Sequence, residues 1–69
     1  PTADAYYLVA ANYALVGQEA PAVDHLQRAI ELNERLRLRA RADDRFVRLE
    51  GAALRRLFET DLYRPPAAR

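Results

Sequence analysis

The chain has 69 residues with 11 basic and ten acidic side chains, and its net charge of +1 points to no particular partner. This length allows one small domain at most. The sequence contains no Cys, Ser, Lys, Met or Trp, which excludes disulfides, thiolate metal sites, Ser and Cys nucleophiles and a Schiff-base lysine. We therefore expect a protein without enzymatic activity, cofactor or metal. The composition is rich in Ala, which favours helix.

Two helices joined by a tight turn are predicted in the first 34 residues. Thr2 is a suitable N-cap, and residues 3–16 contain no Gly or Pro before Gly17 ends the first helix. Pro21 is tolerated in the first turn of the second helix, where its missing N–H needs no partner. The second helix is amphipathic, and we expect His25 to be a surface histidine on its solvent side.

The segment that follows alternates Arg with Leu or Ala over residues 35–42, which is formally the pattern of a half-buried strand. We favour helix, because these residues are good helix formers and none of them is β-branched. The second helix is expected either to continue past Asn33 or to restart near it, and to end before Asp43. Asp43 and Asp44 imitate a catalytic carboxylate pair, but one N-cap and one exposed acid explain them more simply.

A short helix around Phe46 is expected to end at Gly51, and a last amphipathic helix to cover residues 52–60. The fold class is therefore all-α, with a helical hairpin at 1–34, Arg-rich capping helices at 35–60 and an extended tail at 61–69. No stretch approaches the roughly 20 apolar residues of a membrane span, so we expect no membrane contact and a cytoplasmic location.

The hairpin resembles one tetratricopeptide repeat, a helix-turn-helix unit. Large apolar, aromatic, small and turn residues match the family pattern at eight spaced positions: Tyr6, Val9, Ala10, Tyr13, Gly17, Ala22, Leu26 and Ala29. The chain departs from the pattern at Pro21 and at Glu34, where the family usually has Pro. The resemblance implies a protein–protein interaction or scaffolding module, and the Arg-rich segment is similar to the helical ends that close a stack of repeats in many bacterial proteins.

The same resemblance places the partner-binding surface on the first helix, which lines the concave face in this family. The corresponding apolar positions are Tyr7, Ala11, Ala14 and Leu15, beside Asp4. Repeats that grip a terminal carboxylate have Lys and Asn where this chain has Tyr7 and Ala11. We therefore predict an apolar peptide or helix as ligand, anchored mainly by Tyr7.

The first helix is apolar in almost every direction. Tyr6, Val9, Ala10 and Tyr13 are predicted to face the second helix, which leaves Leu8 and other apolar side chains without cover. Helices of this kind are found buried, so a neighbour is expected. That neighbour is either a preceding repeat of a longer protein or another copy or subunit.

Charge distribution supports two alternative functions. Residues 1–34 contain one Arg and five acidic residues, a balance of −4, whereas residues 35–69 contain ten Arg and five acidic residues, a balance of +5. An Arg-rich helix can bind phosphates, so one alternative is a nucleic-acid-binding module. The other is a purely structural segment of a larger enzyme. A solvated, salt-bridged cap accounts for the same Arg residues without nucleic acid, and we prefer it.

Overall fold

A computed structural model describes the backbone of residues 2–62 and the side chains of residues 2–59, and this part of the chain contains five α-helices and no strand. The helices are α1 (Ala3–Leu15), α2 (Glu19–Leu32), α3 (Leu36–Arg41), α4 (Asp44–Val47) and α5 (Ala52–Leu62). The all-α prediction is confirmed. Of the extended tail predicted for 61–69, the first two residues are helical, and residues 63–69 lie outside the described residues.

The two ends of α1 are capped as the sequence predicts. The hydroxyl of Thr2 accepts a hydrogen bond from a first-turn backbone N–H at 3.1 Å. After the helix, the N–H of Gly17 donates to the carbonyl of Ala14 at 3.0 Å, and the N–H of Gln18 donates to the carbonyl of Tyr13 at 3.0 Å. This is the Schellman pattern, and it requires the positive φ of +79° that Gly17 adopts.

Small side chains let α1 and α2 pack closely. Ala10, Ala22, Ala29 and Leu26 are completely buried at this contact. Val9, which was predicted to face α2, is exposed instead, because consecutive helical residues point about 100° apart and Ala10 occupies the direction toward α2. The buried apolar core of the described residues is Tyr7, Ala10, Ala11, Ala14, Ala22, Leu26, Ala29, Ile30, Leu36, Ala40, Phe46 and Leu54.

The junction between α2 and α3 follows the second of the two predicted routes, a restart. Asn33 leaves the helical conformation with φ −148° and ψ 99°, and its side-chain oxygen accepts a hydrogen bond from the N–H of Arg35 at 3.1 Å. Such local bonds compete with helix continuation. At α4 the cap is Asp43 rather than Asp44, since the Asp43 carboxylate accepts a bond from the N–H of Arg45 at 3.0 Å.

The C-terminal helices cover one side of the hairpin. α4 packs on α1, α5 packs on α2, and α3 contacts α2, α4 and α5. A carboxylate oxygen of Glu19, in the first turn of α2, accepts hydrogen bonds from the N–H groups of Ala53 at 3.0 Å and Leu54 at 3.2 Å. This carboxylate caps the N-terminus of α5. A Cβ at Gly51 would overlap the end of the Glu19 side chain, so a substitution there would displace this carboxylate.

Candidate protein-interaction surface

One helix, α1, has two apolar faces with different surroundings. Tyr7, Ala11 and Ala14 are buried on the side toward α4, and we call them the covered face. A second set of side chains is exposed to solvent, and one of them, Leu15, also borders a groove next to α4. This open face consists of Ala5, Leu8, Val9, Asn12, Leu15 and Val16.

The covered face is closed by a polar and aromatic cluster. The Tyr7 hydroxyl donates to Oδ2 of Asp43 at 2.7 Å, and Arg45 donates to both oxygens of the same carboxylate at 3.0 and 2.7 Å. The Tyr7 ring meets the ring of Phe46 edge to face, with centroids 5.5 Å apart. The guanidinium of Arg39 lies 5.1 Å from the centroid of the Tyr7 ring. These contacts connect α4 firmly to the middle of α1.

The acid–base properties of this cluster follow from burial and pairing. Hydrogen bonds from Arg45 hold the pKa of Asp43 well below its usual value, and the Tyr7 hydroxyl adds to the effect. Burial, together with the hydrogen bond to Asp43, raises the pKa of Tyr7 to about 12. Pairing with Asp43 raises the pKa of Arg45. At neutral pH the cluster is therefore a neutral phenol, a carboxylate and a guanidinium, a structural contact without a proton to exchange.

The four residues predicted to bind a partner are divided between the two faces. Tyr7 is only 4% exposed, and Ala11 and Ala14 are also buried, so these three do not form the open surface that we expected. The chain's own Phe46 and Asp43 occupy the space that a ligand anchored by Tyr7 would need. Leu15 is 63% exposed and lies on the open face. Of the predicted surface, only Leu15 is accessible to a partner.

The open face is uncharged and mostly apolar. Leu8 of α1 is 57% exposed, and Val16, at the C-cap of α1, is 67% exposed, although a small domain has few apolar side chains to spare from its core. Along this face the spacing of Ala5, Leu8, Asn12 and Leu15 is three, four and three residues, which is the a and d spacing of a helix seam. An exposed, mostly apolar stripe of this kind is a candidate surface for protein contact.

Opposite charges stand at the two ends of the open face. Asp4 is exposed in the first turn of α1, one helical turn before Tyr7 and Leu8, at the border with the covered face. At the other end, a groove between α1 and α4 is lined by Leu15 and by three charged side chains, Asp44, Arg45 and Arg48, of which Arg45 is paired with Asp43. Neither Asp4 nor Arg48 forms an ion pair within residues 2–59. Both charges are available to a partner.

Most Arg side chains of the Arg-rich segment are exposed, as a solvated, salt-bridged cap requires, but Arg37 is an exception. Arg37 is 8% exposed and donates to the carboxylate of Glu34 at 3.0 Å and to the backbone carbonyl of Leu57 at 2.9 Å. Arg37 therefore links α3 to α5. Arg39 and Arg45 are engaged at the covered face. The strict Arg alternation concealed this difference, because a short helix turns successive Arg residues to different sides.

The single histidine is also placed differently from our prediction. His25 is half-buried, with its ring 5.4 Å from the ring of Tyr13 and 6.2 Å from that of Tyr6, centroid to centroid. Its Nδ1 lies 2.8 Å from the carbonyl oxygen of Pro21. His25 thus packs between α1 and α2. On the solvent side of α2, Asp24 and Arg28 form an i, i+4 ion pair, with Nε and Oδ2 separated by 3.7 Å.

Within the described residues, no group of three or more His, Cys, Asp or Glu side chains is arranged to hold a metal ion. No helix in this same part of the chain is long and apolar enough to cross a membrane.

Sequence reasoning missed Asp43 as a partner of Tyr7, since the two lie 36 positions apart and only the tertiary fold brings them together. The sequence predicted that Leu8 and other apolar side chains of α1 would lack cover, but it did not separate the open face from the covered face. The three-four-three spacing from Ala5 to Leu15 was the signal that could have identified the open face.

Comparison of the chain with protein-family models, curated proteins and solved structures gave no match.

Proposed function

We propose that the chain is a non-enzymatic protein–protein interaction module of tetratricopeptide type, and that its open face binds an apolar helix. The observation that carries the proposal is the open face itself, where exposed Leu8, Leu15 and Val16 form an uncharged stripe along α1. Burying such a stripe contributes about 25 cal/mol for each Å² of apolar surface removed from water. A helix with a similar stripe is the simplest partner, and a preceding repeat of a longer protein is one form of it.

The tetratricopeptide part of the proposal is supported by how the hairpin packs. Ala10, Ala22 and Ala29, the small residues of the family pattern, are completely buried where α1 meets α2. Leu26 fills the same contact, and Gly17 has the left-handed conformation of the turn position. The C-terminal helices act as a cap in this proposal, because α4 covers one face of α1. We place the protein in the cytoplasm as part of the same proposal.

The geometry favours protein over nucleic acid as the partner. Arg37, Arg39 and Arg45 have intramolecular contacts, so binding phosphates through them would first require breaking those contacts. A surface of this kind differs from the continuous basic stripe that typically follows a phosphate backbone. Among the described residues, no contact favours the other alternative, that the chain is a structural segment of a larger enzyme.

The test is binding of a synthetic amphipathic helix with Leu at the a and d positions of successive heptads, followed by fluorescence anisotropy. We expect binding to the natural chain, and loss of at least tenfold in affinity for Leu15→Asp. Leu38→Asp is the matched control, because Leu38 is 66% exposed on α3 and lies off the open face. Binding should change little with salt, since phosphate-type contacts alone give a steep salt dependence. Equal affinity of the two variants would contradict the proposal.

A further inference from the structure

We infer that the partner on the open face is a second copy of this chain, packed α1 against α1 in antiparallel orientation about a two-fold axis. The inference rests on the proposed function, because it names the occupant of the same surface. A two-fold contact brings identical patches together, so the patch must be complementary to its own inverted copy. The open face meets this condition in both shape and charge.

Shape complementarity comes from the seam residues. In the antiparallel register centred near Ala10, Leu15 of one copy meets Ala5 of the other, and Leu8 meets Asn12. The largest side chain of each end is thus paired with the smallest, as ridges into grooves require. The exposed Val9 and Val16 lie beside the seam and widen it to the a, d and e stripe of a bundle helix.

Charge complementarity selects the antiparallel orientation and favours a second copy over an unrelated helix. Asp4 and Arg48 lie on the same side of the open face, the side of α4, but at opposite ends of it. A two-fold axis perpendicular to the helices keeps that side in common and reverses the ends. Asp4 of each copy therefore reaches the groove end that holds Arg48 and Asp44, and pairing of Asp4 with Arg48 gives two symmetric ion pairs. The antiparallel helix dipoles are favourable as well.

The contact is expected to be weak. α1 has 13 residues, fewer than two heptads, and Asn12 is a polar group within the seam. Surface ion pairs contribute modestly and are screened by salt. We therefore expect a monomer–dimer equilibrium with a dissociation constant on the order of micromolar or weaker, rather than an obligate dimer.

Sedimentation equilibrium of residues 1–69 over a wide range of concentrations tests the inference. The natural chain should dimerise as concentration rises, and Leu15→Asp should weaken dimerisation at least tenfold, while Leu38→Asp leaves it unchanged. Asp4→Arg and Arg48→Asp should each weaken self-association about three- to tenfold. Mixing these two variants in equal amounts should restore association to the natural level, because each copy then supplies the charge that the other needs. Circular dichroism of each variant checks that its helices are retained.

A natural chain that stays monomeric at every concentration overturns the inference, and so does a dimer that Leu15→Asp leaves intact. A dimer lost in Leu15→Asp but not restored by mixing Asp4→Arg with Arg48→Asp overturns the antiparallel arrangement on which the inference is built. If the chain is monomeric yet binds the synthetic helix through Leu15, the inference fails and the proposed function stands. If neither association depends on Leu15, both fail.

Discussion

The covered and open faces of α1 have almost the same apolar composition and opposite surroundings. The covered face carries Tyr7, whose hydroxyl finds a carboxylate on α4, whereas the open face carries Leu8 and Leu15 with no group to receive them inside the described chain. A Tyr side chain offers a directional hydrogen bond as well as apolar area, and Leu offers area alone. Both faces are apolar enough to be buried. The face that α4 covers is the one whose Tyr7 hydroxyl has a hydrogen-bond acceptor, Asp43, at the start of α4.

The packing of α4 on the covered face is tested most directly at Phe46, the largest fully buried side chain of α4. We expect Phe46→Ala to destabilise the fold by about 3–5 kcal/mol, because the free energy gained by burying the aromatic ring is lost and a cavity remains. In a domain of this size that loss is enough to unfold much of the population. Thermal melting and urea titration measure it. Val47→Ala is the control, since Val47 is half-exposed on the same short helix, and its loss should stay within about 0.5 kcal/mol.

Removing only the hydroxyl of Tyr7 tests the polar anchor. Tyr7→Phe keeps the ring contact with Phe46 and loses the 2.7 Å bond to Asp43, a hydrogen bond to a charged group. We expect a loss of about 1.5–3 kcal/mol in the free energy of unfolding. Tyr6→Phe is the comparison variant, because no hydrogen bond of the Tyr6 hydroxyl occurs within the described residues. Equal effects of the two substitutions would show that the anchor is not specific.

The pH dependence of stability is a second test of the Tyr7–Asp43 contact. The pKa of Asp43 is lowered by Arg45 and Tyr7 in the folded chain, so its contribution is complete above the unfolded value near 4 and is lost as the pH falls below it. The pKa of Tyr7 is raised to about 12, so its contribution is complete below about 10 and is lost as the pH rises from there toward 12. We expect Asp43→Asn to flatten the acid limb and Tyr7→Phe to flatten the alkaline limb of unfolding free energy against pH.

Asp24→Asn serves as the acid-limb control, since the Asp24–Arg28 pair is 3.7 Å apart and solvent-exposed. An acid limb as steep in Asp43→Asn as in the natural chain would contradict the assignment.

The N-terminal cap of α5 depends on a close approach between Gly51 and Glu19. Gly51→Ala would place a Cβ where the Glu19 carboxylate lies, and the cap on Ala53 and Leu54 would be displaced. We expect a loss of about 1–2 kcal/mol, the upper range for a helix N-cap. Glu19→Gln, which keeps one acceptor oxygen, should cost less. Urea titration measures both, and hydrogen exchange of the α5 amides should show the loss locally. A harmless Gly51→Ala would mean that Glu19 does not cap α5.

The smallest effect is expected on the open face. Leu15→Gln, measured at a concentration where the chain is monomeric, should change the free energy of unfolding by less than about 0.5 kcal/mol. Leu26→Ala in the core, by contrast, should cost about 2–5 kcal/mol. A large monomer destabilisation by Leu15→Gln would show that the open face is already covered by the chain itself. These two variants distinguish an apolar side chain that packs in the core, Leu26, from one that is exposed in the monomer, Leu15.

Local rules in the sequence predicted most of the helices. Thr2, Gly17 and Asp43 mark helix boundaries because caps and left-handed turns depend on a few adjacent residues. The same rules did not separate Arg37 from its neighbours. Burial of that guanidinium depends on a carbonyl of α5, 20 positions away along the chain. Of the four residues predicted to bind a partner, Tyr7, Ala11 and Ala14 are buried and only Leu15 is exposed, and their role in binding stays a prediction.

Sequence rules were enough to predict that this protein is helical, where its turns lie, and that α1 is apolar in almost every direction. Those properties follow from backbone propensity, capping groups and periodicity, which act over a few residues. Only the tertiary structure decided which side of α1 is covered. Phe46 and Asp43 reach the Tyr7 side because two turns and a short helix return the chain there. Packing between distant segments therefore left Leu8 and Leu15, rather than Tyr7, exposed on α1, and this is the surface that we propose for partner binding.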